Sequence, residues 1–213
     1  MAQRAGGAQW AGGRPDIDTR HLGHLSQANI AVQQHDITTD SLPEAAFDLV
    51  HARLVLLHLP QREQALARMA ASLKPGGWLL AEEFDAVSMR GNPAQYPGER
   101  ALKLENAQQL LMRERGADST YGRRLPQRLA AHGLVNIDAE GQAFFWRGGS
   151  AGAHIKRANY LQLQDAMLAA GYISAHELAE ELRALEDPAT LILSPVMWAV
   201  WGQRPDSEER TAQ

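Results

Sequence analysis

The stretch from residue 47 to residue 85 constrains the fold more than any other part of the chain. It begins with the apolar run FDLVHA and ends with WLLAEEFD, and the two runs are separated by a helical pattern and the breaker PGG. The helical pattern repeats at intervals of three and four residues, which marks one apolar helix face. Its apolar positions are Ala65, Leu66, Met69, Ala70 and Leu73.

This stretch predicts a strand at 47–51, a helix at 61–73 and a second strand at 78–83. Pro75, Gly76 and Gly77 end the helix, and a glycine can adopt the left-handed conformation required there. A strand, a helix and a strand in close succession form a βαβ unit, whose two strands run parallel with a right-handed crossover. We therefore expect a parallel sheet with helices against it.

The rest of the chain continues the alternation of strands and helices, which predicts an α/β fold with a mostly parallel sheet and a final hairpin-like pair of strands. Further strands are expected at 30–34, 135–146 (with a turn or bulge near Gly141) and 191–202. Further helices are expected at 20–26, 99–115, 121–132, 153–170 and 174–186. The predicted organisation is a flexible leader at 1–15, one domain at 16–204 and a polar tail at 205–213.

Composition excludes several classes of function. The 213 residues carry a net charge of −4 and no cysteine, which excludes disulfides, thiolate metal sites and a cysteine nucleophile. No basic patch points to nucleic acid. No apolar run approaches the ~20 residues that cross a bilayer, and the first residues do not have the pattern of a signal peptide. We expect a soluble cytoplasmic protein with neither a nucleic-acid nor a membrane partner.

A family resemblance rests on two segments between residues 36 and 85, HDITTDSLPEAAFDLVHARLVLLHLP and LKPGGWLLAEEFD. In order and spacing, they resemble the middle of class I S-adenosylmethionine-dependent methyltransferases. RRLPQRLAAHGL with the strand after it resembles the family's last helix and reversed hairpin, so the resemblance covers about residues 16–204. It implies a Rossmann-like sheet with a C-terminal antiparallel strand, S-adenosyl-L-methionine as cofactor, and methyl transfer to a small-molecule acceptor.

The resemblance departs from the family pattern at the first residues. The family has a strand, a GxGxG-like loop and a helix before its second strand, whereas AGGAQWAGG has glycines without an apolar strand leading into them. We therefore expect an N-terminally truncated fold, less stable in its first third. A degenerate, non-catalytic homologue acting as a binding or regulatory module is the alternative to an enzyme. A Rossmann-like oxidoreductase would need GxGxxG after a strand, which is not present.

The resemblance implies cofactor contacts at two early positions. Asp16, with Ile17 beside it, would accept the ribose hydroxyls, while Asp36 would accept from the adenine amino group and Ile37 would pack on the ring. For each carboxylate, an ordinary structural role is the alternative to cofactor binding. Asp18 at the same place is typical of a helix cap, and a loop aspartate such as Asp36 commonly makes an Asx turn.

Two later positions follow the FDLV strand, at the edge where parallel strands present ligand contacts. His51 and Arg53 would face the cofactor there, and Arg53 could pair with its methionine carboxylate. Alternatively, Arg53 pairs with Asp48 or Glu82. The imidazole of His58 could act as the general base toward the acceptor, or it could simply pack at the beginning of a helix.

Three carboxylates, Glu82, Glu83 and Asp85, end the second strand of the βαβ unit. Close carboxylates can shift one another's pKa values or hold a metal ion. A solvated acidic edge is the commoner arrangement, and no histidine joins them at ligand spacing. We therefore expect no metal site.

Two helical segments, 86–120 and 153–186, occupy positions where family members insert substrate lids. The second carries Tyr160, Met167 and Tyr172. Aromatic and methionine side chains at helical spacing usually form core. Alternatively, they line an apolar acceptor pocket or a homodimer contact.

Overall fold

The structure is a computed structural model that describes residues 12–16, 18, 20, 30–86 and 98–206, with 12–16 and 98–100 described by their backbone alone. The chain divides into two compact units, Met1–Leu42 and Pro43–Gln213. Each unit is described separately below. Within the described ranges, no helix is both long enough and apolar enough to cross a membrane.

The first unit contains a two-stranded parallel sheet. Strand β1 (Gly12–Asp16) pairs with β2 (Ile30–Gln34), and Asp16 lies opposite Gln34. The strand predicted at 30–34 is confirmed. Residues 12–15, which we assigned to the leader, form part of β1 although they lack an apolar pattern. Residues 1–11 and most of the helix predicted at 20–26 lie outside the described residues.

The second unit holds the predicted βαβ stretch. Strand β3 (Phe47–Arg53), a 3-10 turn (Leu56–His58), helix α1 (Arg62–Ser72) and strand β4 (Leu73–Asp85) follow one another, and β3 and β4 are parallel as predicted. Gly76 has φ +75°, the left-handed conformation expected after the helix. Strand β4 begins five residues before the predicted position, and its pairing with β3 is irregular between Phe47 and Leu49.

The remaining elements complete the second unit. In chain order they are α2 (Gly98–Glu114), α3 (Tyr121–Ala131), β5 (Val135–Gln142), β6 (Phe145–Arg147), α4 (Ala151–Ala169), α5 (Ala175–Ala184), β7 (Leu191–Leu193) and β8 (Val196–Gln203). All four helices lie within a few residues of their predicted positions. The tail from residue 207 lies outside the described residues.

The main sheet has the strand order β3-β4-β8-β5. Strand β8 is antiparallel to both of its neighbours, so β3, β4 and β5 run in one direction and β8 runs against them. Only one of the three pairings is therefore parallel, although three of the four strands share a direction. The α/β class and the C-terminal antiparallel strand are confirmed.

Two predicted strands are each divided in the structure. The strand expected at 135–146 becomes β5 and β6, and the one expected at 191–202 becomes β7 and β8; β6 and β7 form a separate antiparallel pair. Both breaks occur at one place, where Ser194 N donates to Phe144 O (2.8 Å) and Phe144 N donates to Ser194 Oγ (2.9 Å). Pro195, which has no N–H, follows directly. Gly141, near which we predicted a turn or bulge, stays within β5 against the ring of Trp198.

Helices α2, α4 and α5 share an apolar cluster, which we call the helical layer. Its buried members are Leu104, Ala107, Leu111, Ala153, Tyr160, Met167, Ile173, Leu178, Leu185 and Ile192. Tyr160 and Met167 are fully buried, which confirms the core interpretation for these two side chains. Tyr172 packs against the cluster and donates its hydroxyl to Glu114 (2.7 Å).

Candidate functional site

The carboxyl ends of β3 and β4 bring His51 and Arg53 to one carboxylate. The parallel register sets Arg53 opposite Glu82. His51 Nε2 lies 2.8 Å from Glu82 Oε2, and Arg53 Nη1 lies 3.3 Å from Glu82 Oε1. Of the two alternative partners considered for Arg53, the structure has Glu82, since Asp48 is bound by Lys74. The Arg53 side chain is 58% exposed, so its guanidinium remains accessible to solvent and to a ligand.

Glu83 fixes the turn that follows β3. Its side chain is fully buried, and Oε1 accepts hydrogen bonds from Val55 N (3.0 Å) and Leu56 N (2.6 Å). Leu54, just before, has φ +55°, a conformation that is uncommon for a bulky side chain. Burial raises the pKa of Glu83 to about 7, although the backbone hydrogen bonds and Arg62 lower it in part. Glu83 Oε2 has no hydrogen-bond partner among the described residues.

Asp85, at the end of β4, is fully buried and binds Arg123 in a bidentate pair with two 2.7 Å contacts. Gly122 permits this pairing, because a Cβ there would lie 2.6 Å from Glu83 O. Helix α3 therefore approaches β4 closely enough for Arg123 to reach Asp85. The bond to Asp85 raises the pKa of Arg123.

The prediction of a solvated acidic edge is wrong for Glu83 and Asp85, whose side chains are both buried. Side chains alternate along β4, so these two point into the interior, whereas Glu82 points to the other face and contacts His51. The three carboxylates have separate partners rather than one another. Within the described ranges, no group of three or more His, Asp or Glu side chains could hold a metal ion.

His58 ends the 3-10 turn and is exposed. Desolvation nevertheless lowers the pKa of its imidazole, so the ring is neutral near neutral pH and has a lone pair to accept a proton. Its side chain makes no hydrogen bond to any residue that the structure describes.

The early candidates lie in the first unit. Asp36 Oδ1 accepts from Thr38 N (2.8 Å) and Thr38 Oγ1 (2.6 Å), so the Asx turn considered as its ordinary role is present. Ile37 is half-buried. Asp16 ends β1, with only its backbone described, and Ile17 lies outside the described residues.

The neighbouring Asp18 binds the guanidinium of Arg20, with Nε–Oδ1 at 2.8 Å. This bond does not test the capping interpretation, because residues 21–29 lie outside the described residues.

The anchoring roles of Glu83 and Arg123 were not predicted. Alternation along WLLAEEFD puts Glu83 and Asp85 on the same face as Leu79 and Ala81, which are buried. That period was a usable signal for burial. The Asp85–Arg123 pair joins residues 38 positions apart, and the sequence pattern contains no signal for it.

Comparison with known proteins identifies the family. A family model described as "Methyltransferase domain" matches residues 6–184. The chain belongs to this methyltransferase domain family. The match includes strands β1 to β6 and helices α1 to α5 of the described residues, and so takes in every predicted site residue.

Individual relatives agree with this assignment. The chain is 36% identical over 88 residues to the methyltransferase str2 of Strobilurus tenacellus, an alignment that covers 41% of this chain and 31% of that protein. The chain spans between about a fifth and a third of the curated relatives it matches.

Solved structures share the fold. The YcgJ protein from Bacillus subtilis superposes with a TM-score of 0.57 at 14% identity, covering 93% of this chain and 84% of that one. Haemonchus contortus phosphoethanolamine N-methyltransferase 2, solved in complex with S-adenosyl-L-methionine, superposes with a TM-score of 0.52 at 14% identity. That superposition covers 92% of this chain and 43% of the other.

Proposed function

We propose that this chain is an S-adenosyl-L-methionine-dependent methyltransferase acting on a small-molecule acceptor. The single observation that carries the proposal is the family match over residues 6–184. The cofactor's sulfonium supplies the activated methyl group. The protein's own task is to bind and orient the reactants and to exclude water.

The residues of the second unit fit one end of this cofactor. Arg53 is exposed, and its contacts with Glu82 are 3.3 and 3.4 Å long, so little is lost if the guanidinium turns to a ligand carboxylate. A planar guanidinium binds a carboxylate through two parallel hydrogen bonds. His51, held 2.8 Å from Glu82, would border the same contact.

The remaining proposed contacts are the ones that the family resemblance implies. Asp16 and Ile17 would hold the ribose, and Asp36 and Ile37 would contact the adenine. Asp36 and Ile37 are both half-buried, which suits side chains that a flat ring covers in part.

His58 is the proposed general base. It is exposed and has a lowered pKa, so it can take a proton from an acceptor hydroxyl or amine near neutral pH. Exchange of His58 for Asn should lower the rate of methyl transfer and leave cofactor affinity unchanged.

Segments 86–120 and 153–186 would form the acceptor's cover. We also propose a cytoplasmic location, no nucleic-acid or membrane partner, and a homodimer, all of them from the sequence alone.

Calorimetric titration with S-adenosyl-L-methionine and S-adenosylhomocysteine tests the cofactor proposal. We expect micromolar binding of both, and a loss of about 10-fold or more for Arg53→Ala, which removes a charge-assisted hydrogen bond. Lys74→Ala is the matched control, because Lys74 is a cation at the opposite end of the same sheet. Absence of binding at millimolar ligand would instead support the binding-module alternative.

A further inference from the structure

A groove of about 800 Å³ lies between the end of α2 and the beginning of α3, and we call it the α2–α3 groove. It lies wholly within the second unit. Most of its lining residues are polar and two of them are arginines: it is lined by Arg62, Asn106, Gln109, Leu110, Arg113, Gly116, Ala117, Asp118, Ser119 and Thr120.

Arg62 brings a half-buried positive charge to this groove. Its guanidinium donates to the carbonyl oxygens of Gly116 and Leu56 and lies over the ring of Tyr121, 5.6 Å from the centroid. Within the described part of the chain, no carboxylate forms an ion pair with it. The negative charge of Glu83 offsets this positive charge only in part. Burial raises the pKa of Glu83 to about 7, so its carboxyl is partly protonated near neutral pH. A guanidinium held by carbonyls alone keeps its capacity to attract an anion.

Arg113 adds a second guanidinium to the same groove. It is exposed in the last turn of α2 and forms no ion pair with any described residue. The hydroxyl of Ser119 and the amide of Asn106 line the groove as well, and neither side chain is hydrogen-bonded to the described part of the protein. Two cations and two neutral donors therefore face one space.

The acidic group of the groove does not neutralise this charge. Asp118 is paired with Arg124 and accepts from Thr120 N (3.0 Å) and Thr120 Oγ1 (2.7 Å). Its negative charge is thus already matched, and the groove keeps an excess of positive charge.

Two backbone hydrogen bonds join the groove to the end of β4 and to the 3-10 turn that follows β3. Ala86 N, directly after β4, donates to Ser119 O (2.9 Å), and Asp118 N donates to Leu57 O in the 3-10 turn (2.8 Å). His58 ends that turn. A molecule held in the groove would therefore border the turn that presents the proposed base.

We propose that the α2–α3 groove binds the anionic group of the acceptor, so that the acceptor class is a small molecule carrying a carboxylate or a phosphate. Arg62 and Arg113 would hold its oxygens, and Ser119 and Asn106 would donate to them. Both oxyanions suit bidentate guanidinium contacts. This inference rests on the proposed methyltransferase function.

NMR titration of the full chain with inorganic phosphate and with benzoate tests the groove without any need for turnover. We expect saturable shifts confined to residues 106–120 and the 3-10 turn. Arg113→Gln should weaken binding by about 10-fold, as expected for one charge-assisted contact. Arg115→Gln is the matched control, because Arg115 lies two residues further on, is exposed and does not line the groove. Arg62→Gln should give a larger loss if the variant folds.

The relative affinities decide the source of the oxyanion. Tighter binding of phosphate assigns a phosphorylated acceptor, tighter binding of benzoate assigns a carboxylate, and equal binding supports the shared chemistry. The inference is overturned if neither ion saturates, or if Arg113→Gln and Arg115→Gln behave alike. Because cofactor titration is a separate measurement, cofactor binding without anion binding would overturn the groove alone and leave the methyltransferase proposal intact.

Discussion

The ends of β3 and β4 and the helical layer are built on different principles. At the strand ends, buried carboxylates hold the chain: Glu83 caps the turn at Val55 and Leu56, and Asp85 binds Arg123. In the helical layer, ten buried residues, all of them apolar or aromatic, form one cluster. The stability of a region that is held by ionisable groups depends on pH. The stability of a region that is held by apolar packing falls when buried side-chain volume is removed. The buried carboxyl of Glu83, whose pKa is raised to about 7, should therefore make the strand ends respond to pH.

The largest expected effect is on the apolar side of this comparison. Leu104→Ala leaves a cavity at a fully buried position in the helical layer. It should lower the free energy of unfolding by about 2–5 kcal/mol. Urea denaturation measures the loss. Leu110→Ala, on the same helix but 36% exposed, should change it by about 0.5 kcal/mol. Similar losses for the two variants would mean that the cluster does not hold the layer.

The next effect concerns the buried carboxyl of Glu83. Its ordinary pKa of 4.5 rises to about 7 on folding, so between these values the folded state binds more protons than the unfolded state. The free energy of unfolding should therefore be highest at the acidic end of this window and fall as pH rises, by up to about 3 kcal/mol.

Glu83→Gln should remove most of that slope while it keeps an oxygen for Val55 N and Leu56 N. Urea denaturation of both proteins at about pH 5 and about pH 8 compares the slopes. Leu104→Ala should keep the wild-type slope despite its lower stability. If Glu83→Gln retains the full slope, another group carries the pH response and the comparison fails.

The smallest effect lies at the helix caps of the layer. Ser174 forms a capping box with Glu177, in which Ser174 N donates to Glu177 Oε2 (2.8 Å). The side chain of Ser150 accepts one long hydrogen bond, from Ala153 N at 3.4 Å, and has no reciprocal partner among the described residues. Ser174→Ala should cost about 1 kcal/mol, and Ser150→Ala should cost less. Thermal unfolding of the pair measures the difference, and equal losses would show that the reciprocal bond adds nothing.

Local pattern was enough to predict most of the fold. The helix at 61–73 follows from the spacing of Ala65, Leu66 and Met69, and the parallel pairing of its flanking strands follows from the βαβ succession. The divided strands were not predictable in this way, because the breaks depend on the contact between Phe144 and Ser194 across 50 residues. Strand β1 has no apolar pattern at all.

The candidate site was likewise predictable from the sequence only in part. The sequence by itself determined that His51, Arg53 and Glu82 fall at the ends of neighbouring strands, because period and chain order fix which end of a strand a residue occupies. Only the tertiary structure decided that Glu83 is an anchor, that Asp85 pairs with Arg123, and that Arg62 and Arg113 face one groove. Those outcomes depend on contacts between segments that are distant in the sequence. The free energy of a charged side chain depends on its burial and on its partner, and local spacing in the sequence determines neither of these.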